Sequence, residues 1–143
     1  MRIAAATVLT MLVAWVPVAA AQAPKEQDLK AGGAKQLTTD EIRALHADRT
    51  VYHQNAVSGV RIAIWFSADG VRSFRTGGRQ FTGEWAAKDD RRCEETIAGP
   101  IVCMSLYRRG DEILACDPRD APDCRWRIER SVEGDAERLG TKR

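Results

Sequence analysis

The chain has 143 residues, with 22 basic and 20 acidic side chains and a formal net charge of +2. This length fits one domain rather than two, and the near balance of charge gives no reason to expect nucleic acid or an anionic membrane as a partner. Arginine outnumbers lysine 17 to 5. Because a guanidinium is a planar fork of donors for carboxylate or phosphate, an anion-binding surface is one explanation of this excess, and a coding bias is the other.

Residues 1–21 have the features of a cleavable export signal. Arg2 precedes an apolar run, and Ala19 and Ala21 occupy the small-residue positions before a cleavage site. Pro17 and the Ala-rich end favour cleavage over a retained membrane span. The mature protein is therefore expected to be periplasmic or secreted, with no membrane span, in a compartment where cysteines oxidise.

The chain next to this signal is polar, and one helix follows it. Residues 22–36 contain Gly32 and Gly33 and predict a flexible leader. Thr38 precedes Glu41 by three residues, the spacing of a capping box, and predicts a helix of about two turns. At the other end, residues 131–143 predict a polar, frayed tail. The domain is thus expected to span residues 37–130.

From Thr50 onward, the apolar residues alternate with a period of two. The stretch 60–66 is a half-buried strand by this criterion. Turn residues recur at short intervals after it, beginning with Asp69-Gly70 and Gly77-Gly78. The fold class predicted is mainly β: an antiparallel meander of six or seven strands, forming a curved sheet or incomplete barrel with one short N-terminal helix over an opening. The candidate core residues are Ile62, Ile64, Phe66, Phe74, Phe81, Trp85, Ile101, Leu106, Ile113 and Trp126.

The four cysteines predict two local disulfides. Cys93 and Cys103 flank the turn at residues 98–99, and Cys116 and Cys124 flank a loop with two prolines. Four cysteines allow three pairings, and these two loops close without moving the rest of the meander. No Cys-x-x-Cys pair occurs, which argues against structural zinc and against a redox-active dithiol.

The sequence contains no motif that predicts catalysis. His46 and His53 lie seven residues apart, outside any metal-ligand motif, and are expected at the surface or half-buried. The carboxylate pairs Asp89-Asp90 and Glu94-Glu95 are expected to be solvated. We therefore predict a non-enzyme with no catalytic residue, no metal and no cofactor.

A binding face is predicted around Trp65. This residue alternates with Phe66 and therefore lies on the opposite face of its strand, beside Arg61 and Arg72. An exposed Trp among arginines is a typical anchor for a partner, and core packing is the alternative for Trp65. A lesser anion site is conceivable at the Gly77-Gly78 turn, between Arg75 and Arg79.

Several of these features occur together in one known family. The helix-opening stretch 37–45, the strand ending at Phe66, the stretch Gly83-Glu84-Trp85, Cys93 with Cys103, and the turn 109–111 occur in this order. The chain resembles, over about residues 37–126, the small exported bacterial proteins of domain-of-unknown-function family nine hundred and ninety-five. The resemblance implies an exported β-rich domain and lends no activity or catalytic residue. Cys116 and Cys124 are additional to the family's usual cysteine pair.

Three functions remain open from the sequence. The first is an exported interaction module that binds an unknown envelope or extracellular protein. The second is a carrier of a small apolar or anionic ligand in a partly closed sheet, which predicts a lined cavity. The third is a hydrolase or metal enzyme that uses His46 and His53.

Overall fold

The computed structural model describes residues 22–140, so the predicted export signal lies outside the described residues. Two short helices, nine strands and a single turn of 3-10 helix at Pro118–Asp120 make up the described chain. The helices and strands are, in chain order, α1 (Glu26–Ala31), β1 (Lys35–Gln36), α2 (Thr39–His46), β2 (Arg49–Asn55), β3 (Arg61–Phe66), β4 (Val71–Thr76), β5 (Arg79–Lys88), β6 (Arg91–Glu95), β7 (Ile101–Arg109), β8 (Glu112–Cys116) and β9 (Trp126–Glu133).

Strands β2 to β9 form a closed, up-and-down antiparallel barrel of eight strands. Each strand pairs with the next along the chain, and β9 pairs back with β2. Strand β1 pairs with β7 at Tyr107 and Arg108, beyond the residues of β7 that pair with β6. The prediction of a mainly antiparallel meander is confirmed. The ring is closed rather than incomplete, because the long-range β2–β9 pairing joins what would otherwise be two sheet edges.

Helix α2 covers one end of the barrel. The Thr38 backbone N–H donates to the Glu41 carboxylate at 2.9 Å, and the Glu41 N–H donates to the Thr38 hydroxyl at 3.3 Å. These bonds form the predicted capping box. The Asp90 carboxylate accepts from the Thr39 N–H at 2.7 Å and so ties the helix to the β5–β6 turn. The other end of the barrel, called the uncovered end below, carries the β2–β3, β4–β5, β6–β7 and β8–β9 connections, the last of which contains the 3-10 turn Pro118–Asp120.

The core lies inside the ring and under α2. Most of the candidate core residues are buried or packed against the core, but Ile101 is 65% exposed, because it begins β7 at the uncovered end. The predicted core position of Ile101 is therefore wrong. The buried residues of this cluster are Leu37, Ile42, Val51, Ile64, Phe66, Phe74, Trp85, Met104, Leu106, Ile113, Ala115 and Ile128.

Both terminal segments are ordered against the barrel, which differs from the predicted leader and tail. In the segment 22–36, α1 buries Leu29 against Tyr107. In the segment 131–140, β9 continues to Glu133, and Leu139 is buried. A polar composition hid these contacts, because they combine one buried leucine in each segment with hydrogen bonds to the barrel.

The two predicted disulfides, Cys93–Cys103 and Cys116–Cys124, are both present. Cys93 and Cys103 lie directly opposite each other on β6 and β7. The second disulfide closes the β8–β9 loop, where the Cys124 N–H donates to the Pro24 carbonyl at 2.7 Å. The second bridge therefore also supports the N-terminal segment.

Removal of the two disulfides is expected to have different local effects. Loops of ten and eight residues give nearly equal entropic stabilisation, about 2.5 kcal/mol each in the chain-entropy model. The Cys116→Ala/Cys124→Ala variant should also lose amide-exchange protection in residues 22–31, whereas Cys93→Ala/Cys103→Ala should keep it. Urea unfolding and hydrogen exchange measure both effects. Equal protection of that segment in the two variants would contradict the proposed support.

Candidate functional site

The barrel contains a cavity of about 350 Å³ that is open to solvent, in the half away from α2. Its mouth lies at the uncovered end, since Ile97 and Ala98 of the β6–β7 turn and Arg119 of the β8–β9 loop line it. Its walls are mainly apolar, with a small number of charged side chains. The other lining residues are His53, Ile62, Ile64, Arg72, Phe74, Arg92, Glu94, Thr96, Met104, Asp117 and Trp126.

Arg92 is the central polar residue of the barrel and is only 2% exposed. Its Nη1 donates to Nε2 of His46 at 2.9 Å and to Nε2 of His53 at 2.8 Å. Its Nη2 lies 3.3 Å from the Met104 sulfur, and the guanidinium carbon is 5.5 Å from the centre of the Phe66 ring. Arg92 thus joins helix α2 to strands β2, β6 and β7.

The two histidines are neutral in this arrangement. Because a guanidinium can only donate, the Nε2 atoms of His46 and His53 must accept, and each ring carries its proton on Nδ1. The Nδ1 of His46 donates in turn to the Ile42 carbonyl at 2.8 Å. The pKa of both imidazoles is held well below the usual 6.5, mainly by burial and to a lesser extent by the positive charge of Arg92.

Glu94 lies between two buried arginines but is incompletely paired with either. Its Oε2 is 3.3 Å from Arg92 Nε, without the alignment of a hydrogen bond. Its Oε1 is 3.9 Å from Nη1 of Arg72, which is beyond hydrogen-bond distance. Arg72 is 5% exposed and donates from Nη2 to the Glu95 carbonyl. Burial lowers the pKa of Arg72, and the charge of Glu94 opposes this effect.

Asp117 and Arg119 form a closer pair beside the cavity mouth. The Arg119 Nε lies 2.9 and 3.0 Å from the two carboxylate oxygens of Asp117, and the Arg119 backbone N–H donates to the same carboxylate at 2.8 Å. Burial of Asp117 favours its protonated form, but the hydrogen bonds from Arg119 outweigh burial, and the pKa of Asp117 is lowered. This carboxylate is therefore ionised and satisfied by its own neighbour.

The predicted binding face is not assembled as one surface. Arg72 is opposite Phe66 in the β3–β4 register and, like Phe66, lies inside the barrel, while Arg61 and Trp65 lie on the outside. Trp65 is also partly covered, since a Cβ at Gly140 would be 3.3 Å from its Nε1. Arg61 pairs with Glu129 at 3.1 Å on the outer surface.

The other candidate residues divide between confirmed and corrected positions. Asp89 and Asp90 form an exposed turn with φ of 51° and 53°, as predicted. Glu94 is only 7% exposed and is not the solvated side chain that was expected. His46 and His53 are fully buried rather than at the surface. The four cysteines are all in disulfides, away from the cavity lining.

Sequence reasoning missed the buried arginines because it assigned polar strand residues to the outer face. The sequence does contain a signal for the burial of Arg92 and Glu94, because these two residues flank Cys93 on the same strand. Since Cys93 pairs across to β7, its two neighbours must share the opposite face of β6. That face is the interior of the barrel.

Comparison with known proteins gives no relative for this chain: no family model, no curated protein and no solved structure matches it. The resemblance to the family of unknown function stays a prediction. Within residues 22–140, no helix is long and apolar enough to cross a membrane. In the same range, no group of three or more His, Cys, Asp or Glu side chains is arranged to hold a metal ion.

The neutral histidines predict a specific dependence of stability on pH. Below about pH 6.5, the unfolded chain takes up a proton on each imidazole, whereas the folded protein resists it, so the free energy of unfolding falls as pH falls. Two such groups contribute a slope of about 2.4 kcal/mol per pH unit between pH 6 and 5. Urea unfolding at several pH values in this window measures the slope.

The control for this experiment is His53→Gln, which leaves one buried imidazole. This variant should show half the slope of unfolding free energy against pH, even if its absolute stability differs. Aspartate and glutamate titrate lower and contribute little above pH 5. A flat profile between pH 6.5 and 5 would show that the native histidines accept protons, against the assigned tautomers.

Proposed function

We propose that this protein is a carrier that holds one small ligand inside its barrel, in the periplasm or outside the cell. The observation that carries the proposal is the internal cavity of about 350 Å³ with a mouth at the uncovered end. Eight-stranded barrels are wide enough either to be filled by side chains or to hold one small ligand. This volume is at the lower end of the range for ligand sites.

The size and lining of the cavity favour a compact molecule with an apolar body. At about 30 Å³ per water-sized group, the cavity accommodates about a dozen non-hydrogen atoms. Ile62, Ile64, Phe74, Met104 and Trp126 offer apolar contacts. Five lining residues are charged, and polar groups of this kind in an apolar site orient a ligand by its polar end.

A preformed cavity also favours binding, since little order has to be gained when the ligand enters. The ring is closed by hydrogen-bonded strands on all sides, and two disulfides hold its β6–β7 hairpin and its β8–β9 loop. The disulfides indicate an oxidising compartment outside the cytoplasm. The predicted export signal is the reason for proposing the periplasm or the extracellular space.

We assign binding rather than catalysis to this cavity. The imidazole of His53 is hydrogen-bonded to Arg92, and the Asp117 carboxylate is hydrogen-bonded to Arg119. Groups held in this way are poor candidates for proton transfer, which needs a base within reach of a substrate proton.

An interaction module is a second candidate, and one observation favours it. The large apolar side chains that are exposed among the described residues are Val57, Val60, Ile97 and Ile101. They lie in or beside the β2–β3 and β6–β7 turns, on opposite sides of the uncovered end. This rim would suit a partner that delivers or receives the ligand. Crosslinking in the cell envelope with and without Val57→Asp/Ile101→Asp tests it, and an unchanged set of crosslinked proteins would argue against it.

The carrier proposal is tested by filling the cavity. Ile62→Trp places a larger side chain on the cavity wall, while Ala63→Trp makes the same addition on the outer face of the same strand. Thermal unfolding is measured with octanamide, octanoate and octylamine, which share one apolar chain. We expect at least one to raise the melting temperature of the unmodified mature protein with increasing concentration.

The effect should disappear in Ile62→Trp and persist in Ala63→Trp. If no probe stabilises the mature protein at millimolar concentration, or if Ile62→Trp responds as the unmodified protein does, the barrel is not such a carrier.

A further inference from the structure

We infer that the ligand is a monoanion of the carboxylate class, with its charged group against Arg72 and Thr96 and its apolar body against the opposite wall. This inference rests on the proposed carrier function and adds the chemistry of the ligand. It depends on three properties of the cavity: its excess charge, the free hydrogen-bonding capacity of Arg72, and a buried hydroxyl without a partner.

Two buried guanidinium groups line the cavity with one buried carboxylate between them. The Asp117 carboxylate pairs with Arg119, whose side chain is 55% exposed at the mouth, so this pair adds no buried net charge. Arg72 and Arg92 then share the carboxylate of Glu94, while the charge of Glu95, outside the lining, also acts on Arg72. The remaining titratable lining group, His53, is neutral. An uncompensated charge away from water is unfavourable. A ligand with one negative charge restores the balance, whereas a dianion overcompensates and a cation increases the imbalance.

Among the three arginines, Arg72 has the most unused capacity. Arg119 is occupied by Asp117, and Arg92 by two histidines and Met104. Arg72 makes one hydrogen bond, from Nη2 to the Glu95 carbonyl, and its buried Nε has no partner. Its Nη1 is too far from Glu94 for a hydrogen bond. A guanidinium with free donors is suited to a carboxylate.

Thr96 provides a second group at the same place. Its Oγ1 is buried and has no hydrogen-bond partner, and Thr96 lines the cavity together with Arg72. The bond from Arg72 to the carbonyl of Glu95, the residue before Thr96, keeps the two side chains on neighbouring parts of the wall. A hydroxyl can donate to one carboxylate oxygen while the guanidinium donates to the other.

The experiment compares two ligands that differ only in charge. Octanoate and octanamide have the same chain and nearly the same shape, and calorimetric titration gives the dissociation constant of each at pH 7.5. We expect the mature protein to bind octanoate at least about tenfold more tightly than octanamide, since charge-assisted bonds to a carboxylate are the stronger class.

The variants assign this preference to residues. Arg72→Gln removes the positive charge of this one side chain and should lower the affinity for octanoate to that for octanamide. Arg75→Gln is the matched control, since it makes the same change on the same strand at an exposed position. Thr96→Val keeps the shape of the side chain and should weaken octanoate severalfold while leaving octanamide unchanged.

The outcomes separate this inference from the carrier function. If octanamide binds as tightly as octanoate, the carrier stands and the anion inference is overturned. It is also overturned if Arg72→Gln keeps the preference for octanoate. Should Arg72→Gln fail to fold, the Thr96→Val titration decides, and equal weakening of both ligands would contradict the assigned hydroxyl. If neither octanoate nor octanamide binds to the mature protein, the inference of a carboxylate ligand is overturned.

Discussion

The hydrogen bonds between the Arg92 guanidinium and two neutral imidazoles are the contacts on which the interior of this barrel depends. A buried cation requires partners, and here they come from the consecutive elements α2 and β2 and from β7, which follows much later in the chain. Only the fully assembled barrel brings them together. Removing any one of them would leave donors of Arg92 unsatisfied in a dry interior, a cost that couples the position of the helix to closure of the ring.

Arg92 also divides the interior into two unlike halves. On the helix side, Phe66 packs edge-to-face with His46 at 4.8 Å and with Trp85 at 5.2 Å between ring centres, and Ile42 of the helix is completely buried. On the other side, Arg72 and Glu94 take the place of such packing, and a cavity remains. The filled half stabilises the fold, while the unfilled half leaves room for a ligand.

Local features of this fold were predictable, and its closure was not. The capping box at Thr38 and the short loops between paired cysteines depend on residues a few positions apart, so the sequence displays them directly. The pairing of β2 with β9 joins residues about eighty positions apart, and β2 carries a register irregularity at Tyr52 and His53. Its buried Thr50 and His53 also lack the apolar alternation that marks a strand.

The candidate site escaped prediction for a related reason. In β4 and β6, inward positions hold Arg72, Arg92 and Glu94. A rule that assigns polar strand residues to the solvent face predicts the wrong face for all three. The register with Phe66 and Met104 places Arg72 and Arg92 inside the barrel. His46 likewise depends on a distant residue, since its partner Arg92 lies 46 residues away.

Departure from the polar-outside rule is itself informative about function. An apolar set of similar volume at these positions would fill the cavity and avoid the desolvation of two arginines and a glutamate, and such replacements are often neutral or stabilising. This barrel instead keeps Arg72 with an unpaired buried Nε beside the partnerless hydroxyl of Thr96. Sites where local rules fail without compensation within the fold are where binding is concentrated. The compensation that the fold lacks is one negative charge, which a ligand bound in the cavity would supply.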